Sequence, residues 1–242
     1  MTALQSVRIA LRSLRVNKLR TALTMLGIII GVGAVIAMVA VGAGAQARVA
    51  EQIQSLGSNL IIVLSGSVTS GGIRLGHGSQ LTISEDDAAA IAREVSAVQV
   101  AAPSMRGTAQ VVFGNLNWST VVQGVTVDYA EARDWPVITG RGVNPEDVEG
   151  AVKVAILGQT TAQNLFGDAP PEGQIIRIKK VPFTVVGVLG RKGQSSWGQD
   201  QDDIILIPLS TAKKKVLGAS QANPRAVGAI SIKIRQIGRA HV

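Results

Sequence analysis

The sequence contains no cysteine among its 242 residues, so disulfide bonds, thiolate nucleophiles and cysteine zinc sites are excluded. Aromatic residues make up only 3% of the chain, and no basic stripe with interleaved aromatic side chains is present. Stacking on aromatic rings is a usual means of binding single-stranded nucleic acid. The formal net charge of +8 therefore does not indicate a nucleic-acid footprint, and we expect no nucleic-acid partner.

Motifs that mark the common enzyme classes are missing as well. The sequence has no G-x-x-x-x-G-K-[ST] phosphate-binding loop, no H-E-x-x-H pair and no G-x-S-x-G nucleophile turn. We therefore predict no catalytic residue, no cofactor and no metal site in this chain. The chain is expected not to be an enzyme.

Charge is absent from one long stretch, residues 21–47, and no acidic residue precedes Glu51. As an α-helix this stretch would be ~40 Å long, whereas a hydrocarbon core of about 30 Å needs only about 20 apolar residues. A cleaved signal sequence is disfavoured because its apolar region is about 7–15 residues long. A dinucleotide-binding turn at Gly42–Ala47 is rejected because no acidic residue follows about 20 positions later. The stretch predicts one transmembrane helix.

The residues before this helix predict its orientation. Five of them are basic: Arg8, Arg12, Arg15, Lys18 and Arg20. Basic residues mark the cytoplasmic side, so the N-terminus is expected in the cytoplasm and the part after Arg48 outside the inner membrane. Residues 1–20 also have the spacing of an amphipathic helix. Two interpretations stay open: a helix lying on anionic membrane lipid, or a topology signal alone. A cytoplasmic partner could dock there as well.

Two further features belong to the same predicted helix. Gly27 and Gly31 form a small-xxx-small pattern that permits close packing of a partner helix, although chance in a glycine-rich span explains it equally well. Beyond the membrane, residues 48–58 continue the helical pattern as a stalk. Its apolar stripe consists of Val49, Ile53 and Leu56.

The remainder, residues 59–236, is predicted to be an α+β domain outside the membrane. Residues 59–104 and 204–235 each predict strand, helix and strand, which together form a split subdomain. A small β-rich insertion with a polar loop, residues 105–203, interrupts it. The densest polar cluster lies at the end of that loop: Gln199, Asp200, Gln201, Asp202 and Asp203. It lacks calcium-loop spacing, so we expect a contact with a partner protein there.

Several segments, taken in order, resemble the MacB-type ABC transporter permease family. They are ALRSLRVNKLRTALTMLGIIIGVGAVIAM, DYAEARDWPVITGRG, KVAILGQTTAQNLFGD, GQIIRIKKVPFTVVGVL and KGQSSWGQDQDDIILIPLSTA. The resemblance covers nearly all of residues 4–235. It implies an exporter permease that works as a homodimer with a cytoplasmic ABC ATPase, a periplasmic adaptor and an outer-membrane channel. Family substrates include macrolides, peptides and lipidic molecules.

Two departures from the family shape these expectations. No ATPase domain precedes residues 1–20, so ATP is expected to be bound by a separate ATPase subunit. The family's three later spans do not follow the domain, so we expect a C-terminally truncated fragment, with a non-native tail at residues 237–242. The alternative function is a single-span envelope protein whose outer domain binds a partner or ligand, as a sensor or as a regulator of lipoprotein release or cell-wall hydrolases.

Overall fold

One long helix contains the uncharged stretch. Helix α1, Lys18–Ser55, has 38 residues, and its part Lys18–Gln46 is long and apolar enough to cross a membrane. The computed structural model describes residues 17–55, 59–66, 69–70, 73–74, 81–195 and 198–235, without the side chains of 47–55, 69–70 and 73–74. The helix therefore continues without a break from the predicted span into the predicted stalk.

The chain divides into two units, Met1–Ile53 and Gln54–Val242. The second unit is rich in β-structure. Its helices are α2 (Glu85–Glu94), α3 (Tyr129–Ala132), α4 (Pro145–Glu149), α5 (Gln159–Phe166) and α6 (Leu209–Thr211), which continues as a π-helix (Ala212–Val216). Its strands are β1 (Leu60–Leu64), β2 (Thr69–Ser70), β3 (Ile73–Arg74), β4 (Ile83–Ser84), β5 (Val98–Phe113), β6 (Leu116–Val125), β7 (Val137–Gly140), β8 (Val154–Leu157), β9 (Ile175–Ile178), β10 (Val181–Leu189), β11 (Ile204–Pro208), β12 (Ala226–Val227) and β13 (Ala229–Ile234).

Nine strands form the main sheet, in the order β1-β13-β5-β6-β11-β8-β10-β7. Strand β9 pairs with both β10 and β5, so six strands (β5, β6, β11, β8, β10 and β9) close into a ring. Each of the six contributes buried apolar side chains to one core cluster, which also includes residues of α5 and the π-helix. The strands alternate inward and outward side chains, so this cluster fills the inside of the ring.

The long strand β5 connects this ring to the rest of the sheet. Its first half pairs with β13, which in turn pairs with β1, whereas Val111 and Val112 near its end pair with β9. A second core cluster packs β13 against α2, and a third lies around α3. One strand of 16 residues thus joins two parts of a continuous sheet.

The structure groups the strands differently from the predicted subdomains. The boundary predicted at residues 104 and 105 falls within β5, which is continuous. Strand β11 was predicted to belong to the split subdomain with residues 59–104. In the structure it is one of the six strands of the ring, where it pairs with β6 on one side and β8 on the other. This arrangement depends on pairing between residues far apart in the chain. Local sequence patterns do not specify such pairing.

Helix starts agree with their local sequence signals. Ser84 and Asp87 form a capping box at α2, each side chain bonding to the other residue's backbone N–H. The N-cap of α4 is Asn144, followed by Pro145 at the first helical position. The observed class, one N-terminal apolar helix followed by a mixed helix and strand domain, confirms the predicted fold class.

Candidate functional site

The carboxylate of Asp203 ties the polar loop to the sheet. We call residues 190–203, between β10 and β11, the polar loop. Oδ1 of Asp203 accepts hydrogen bonds from Trp118 Nε1 at 2.8 Å, Thr120 Oγ1 at 2.7 Å and Thr161 Oγ1 at 3.0 Å. These donors lie on β6 and α5. Asp203 therefore holds the end of the polar loop against two elements of the ring.

The carboxylate of Asp202 closes the polar loop on itself. Only 2% of Asp202 is exposed, and its two oxygens accept the backbone N–H groups of Lys192, at 2.7 Å, and Gly193, at 2.9 Å. Gly158 permits this close packing, because a Cβ atom there would lie 2.2 Å from the Asp202 carbonyl oxygen. Asp202 thus fixes the shape of the loop.

The beginning of the polar loop is anchored on the end of α3. Trp135 Nε1 donates a 2.6 Å hydrogen bond to the carbonyl of Gly190, and Lys192 Nζ lies 5.2 Å from the centroid of the Trp135 ring. Lys192 Nζ also donates to the carbonyl oxygen of Arg133. Burial, and next the positive charge of Arg133, lower the pKa of Lys192 to about 8; Asp134 and Asp202 oppose the shift.

The exposed part of the loop lies beside α5. Asp200 accepts a 2.6 Å hydrogen bond from the Thr160 hydroxyl. The backbone N–H of Gln199 donates to Ser195 Oγ, and the backbone carbonyl of Gln199 accepts from the Ser195 N–H. Gln199 and Asp200 are both exposed. A shallow depression of about 310 Å³ beside them is lined by Gln159, Thr160, Gln163, Asn164, Arg191 and Asp202. This polar surface is open to a partner.

The five predicted contact residues therefore differ in what they can do. Asp202 and Asp203 are engaged within the domain, and Gln201 is half-buried, with its Oε1 atom 3.5 Å from Arg133. Gln199 and Asp200 present their side chains to solvent. The contact with a partner protein stays a prediction. Of the five residues, Gln199 and Asp200 are the ones exposed enough to make that contact directly.

The residues predicted for the leader, the span and the stalk precede α1, belong to it or, for Leu56, follow its last residue. Lys18 and Arg20 are exposed at its beginning, and a Cβ atom added to Gly27 or Gly31 would meet nothing within 4 Å. Helix packing at these glycines stays a prediction. The described residues do not include Arg8, Arg12, Arg15 or Leu56. For Val49 and Ile53 the description covers the helical backbone only.

The donors that bind Asp203 and the half-buried Lys192 were not predicted from the sequence. The sequence does contain one signal for Thr120. Trp118, Thr120 and Val122 are every second residue of β6, so their side chains lie on the same face of the strand. A polar residue in an otherwise apolar row predicts a buried hydrogen bond. Across the part of the chain that the structure describes, no group of three or more His, Cys, Asp or Glu side chains is placed to hold a metal ion.

Comparison with known proteins identifies the family. Residues 21–237 match the MacB-like periplasmic core domain family. The chain belongs to this family. Two curated relatives, both called "Macrolide export ATP-binding/permease protein MacB", support the assignment. The protein from Syntrophobacter fumaroxidans is 44% identical over 90% of this chain and 31% of its own length. The protein from Chlorobaculum tepidum is 44% identical over 86% of this chain and 32% of its own length.

This MacB-family chain spans about a third of the length of those curated relatives. The resemblance noted in the sequence is confirmed, and the names of these relatives combine an ATP-binding part with a permease part.

Solved structures show the same fold. The periplasmic region of MacB from Actinobacillus actinomycetemcomitans superposes with a TM-score of 0.61 at 22% identity, covering 78% of this chain and 81% of that one. The extracellular domain of the noncanonic ABC-type transporter YknZ from Gram-positive bacteria superposes with a TM-score of 0.54 at 17% identity, covering 74% of this chain and 85% of that one.

Proposed function

We propose that this chain is the permease portion of an ABC-type exporter that couples ATP hydrolysis in the cytoplasm to movement of a domain outside the inner membrane. Its substrates are macrolide-like, peptide or lipidic molecules. ATP is bound by a separate ATPase subunit, and the chain itself is not an enzyme. Membership in the MacB-like family, over residues 21–237, supports this proposal.

The length of α1 is the observation that carries the mechanical part of the proposal. At about 1.5 Å per residue, its 38 residues extend ~57 Å, well beyond a hydrocarbon core of about 30 Å. The surplus leaves the membrane as continuous helix, the predicted stalk. In this proposal, movement of the membrane part is carried outward along the helix.

The proposed orientation places the N-terminus in the cytoplasm. Five basic residues precede the span: Lys18 and Arg20 at the start of α1, and three arginines earlier in the sequence. No acidic residue precedes the span. Basic flanking residues are retained on the cytoplasmic side. The ATPase then meets residues 1–20, and the chain crosses the inner membrane once within residues 21–47.

The polar loop is the proposed contact with the periplasmic adaptor. Its anchoring through Asp202 and Asp203 holds Gln199 and Asp200 in a fixed position on the surface. A pre-ordered surface loses little conformational entropy when it binds. The remaining proposed partners are a second copy of the chain and an outer-membrane channel.

Capture of an ATPase tests this function against the single-span alternative. The tagged chain is coexpressed with candidate ABC ATPases from the same genome and purified in detergent. Co-purification of the ATPase is expected, and it should be reduced when Arg8, Arg12 and Arg15 are replaced by Gln. The matched control replaces Arg177, an exposed residue on β9, by Gln. Failure to capture any ATPase would favour the sensor or regulator.

A further inference from the structure

One face of the main sheet carries a groove that neither the sequence analysis nor the proposed function uses. We call it the sheet groove. It has a volume of about 750 Å³. Prominent residues along it are Ile62, Leu64, Leu81, Arg106, Tyr129 and Arg133. It extends from the edge strand β1 across β13 and β5 to β6 and the end of α3.

Small side chains explain why the sheet is hollow here. In the strand register, Leu64 stands opposite Ala229, which stands opposite Ser104 on the next strand. Ile62 is likewise opposite Ser231. Paired residues of an antiparallel sheet share one face, so alanine and serine form a low floor between larger side chains on either side. The register thus creates the groove.

One end of the sheet groove is positively charged. Arg106 is exposed on β5 and stands opposite Gln123, and Arg133 follows α3. Burial raises the pKa of the Tyr129 hydroxyl, and the charges of Arg133 and Arg106 partly offset this, so both guanidinium groups lie near the same hydroxyl. No aspartate or glutamate is among the described residues that line the groove.

The two guanidinium groups retain hydrogen-bonding capacity. Arg133 Nε is buried without a hydrogen-bond partner among the described atoms, although the same side chain donates to Gln201. The described residues give the Arg106 side chain no carboxylate partner within salt-bridge distance. Buried donors are normally paired, and a guanidinium group binds a carboxylate or phosphate through two parallel hydrogen bonds.

The other end of the sheet groove is apolar. Ile62 and Leu64 on the edge strand β1 are 46% and 55% exposed, although they are large aliphatic side chains. Leu81 lies beside them. Covering such a side chain removes apolar surface from water, which stabilises a complex. The groove therefore offers an apolar contact surface at one end and two cations at the other.

We propose that the sheet groove binds a small amphiphile with one anionic head group, a carboxylate or a phosphate monoester. Arg106 and Arg133 hold the head group, and Ile62, Leu64 and Leu81 cover the apolar body. Serine and alanine in the floor leave room for the ligand. This assignment goes beyond the export function proposed above and does not depend on it.

Titration calorimetry with a matched pair of soluble probes tests the site. The full chain is reconstituted in phosphatidylcholine nanodiscs, and empty nanodiscs provide the background. The probes are 1-naphthylacetate and 1-naphthylacetamide, which share the aromatic body and differ in the charge. Saturable binding of one naphthylacetate per chain is expected, at least about tenfold tighter than the amide. Acetate alone should bind too weakly to measure. 1-Naphthyl phosphate distinguishes the two head groups, and binding of either supports the site.

Variants assign the binding to the two ends. Arg106→Gln and Arg133→Gln should each weaken naphthylacetate about tenfold and leave the amide unchanged, whereas Leu64→Ser should weaken both probes. The matched control is Arg177→Gln, an exposed arginine on β9 outside the groove. Arg106 makes no described hydrogen bond with its side chain, so its variant tests the site even if Arg133→Gln perturbs the loop.

The proposal is overturned if the amide binds as tightly as the anion, if Arg106→Gln retains full affinity, or if neither anionic probe binds. Because the experiment contains no ATPase, its outcome is separate from that of the ATPase capture. If the chain captures an ATPase but binds neither anionic probe, the proposed function is supported and the sheet groove is rejected as a ligand site.

Discussion

The Thr120 hydroxyl donates a 2.7 Å hydrogen bond to Asp203, and this contact joins the middle of β6 to the residue just before β11. The two strands run parallel from this point, with Val121 beside Ile204. Trp118 and Thr161 donate to the same carboxylate oxygen. One oxygen therefore fixes the polar loop, the pairing of β6 with β11 and the start of α5.

Replacing Asp203 by Ala should destabilise the domain. The change leaves the Thr120 and Thr161 hydroxyls and the Trp118 indole N–H without their acceptor, so we expect a loss of about 2–4 kcal/mol in the free energy of unfolding. Denaturant unfolding followed by tryptophan fluorescence measures it. Asp128→Ala is the control, because Asp128 is exposed and makes no capping hydrogen bond with its side chain. Equal midpoints for both variants would contradict the assigned role.

Lys192 should make stability depend on alkaline pH. Its pKa is lowered to about 8 in the folded protein, whereas an unfolded lysine titrates near 10.4. Between these values the unfolded chain binds more protons than the folded one, so stability rises as pH increases from about 8 to about 10. Below this window Lys192 is charged in the folded domain as well, which bears the full cost of that half-buried charge.

Lys192→Met should flatten that rise, because methionine does not titrate. Thermal unfolding of both proteins across the window provides the measurement, with the exposed Lys214→Met as the control. Parallel pH profiles for the Lys192 variant and the unaltered protein would show that this lysine is not the group responsible.

Gly158→Ala should displace the polar loop. The added Cβ atom would lie 2.2 Å from the Asp202 carbonyl oxygen, so backbone must move, at a cost of about 1–3 kcal/mol. In Gly142→Ala the nearest atom, Val137 Cγ2, is 4.0 Å away, and a change within about 0.5 kcal/mol is expected. Denaturant unfolding compares the two. A Gly158 variant as stable as the Gly142 variant would show that the packing is not tight.

The exposed residues Gln199 and Asp200 test the adaptor contact. Replacing both by Ala should reduce capture of the adaptor protein severalfold. The free energy of unfolding should fall by no more than about 1 kcal/mol, because neither side chain is buried and Asp200 loses hydrogen bonds from the Thr160 hydroxyl and the Asp202 backbone N–H. The control replaces the exposed Asp168 and Gln221 by Ala. Undiminished capture by the Gln199 and Asp200 variant would remove this surface from the proposed assembly.

Local features of the structure could be predicted from the sequence. The absence of charge over residues 21–47 indicated a helix, and Ser84 and Asp87 have the three-residue spacing of a capping box, which lies at the start of α2. Both depend on neighbours within a few positions. The same reasoning located the polar cluster that ends at Asp203.

Features that depend on distant residues could not be predicted. The partners of Asp203 lie 42 to 85 positions away, so no local pattern distinguishes this carboxylate from the exposed Asp200. The floor of the sheet groove needs the register that sets Ala229 opposite Ser104, and the place of β11 needs its pairing with β6. These pairings are decided by the packing of the whole core.

Labelling of single cysteines in intact spheroplasts tests most directly that the domain lies outside the inner membrane and the N-terminus inside. The chain has no cysteine of its own, so each introduced thiol is the only target. A membrane-impermeant maleimide is predicted to label the Gln163→Cys variant, at an exposed position on α5, without lysis. The Ser13→Cys variant should react only after lysis. The reverse pattern, or labelling of both only after lysis, would contradict the account.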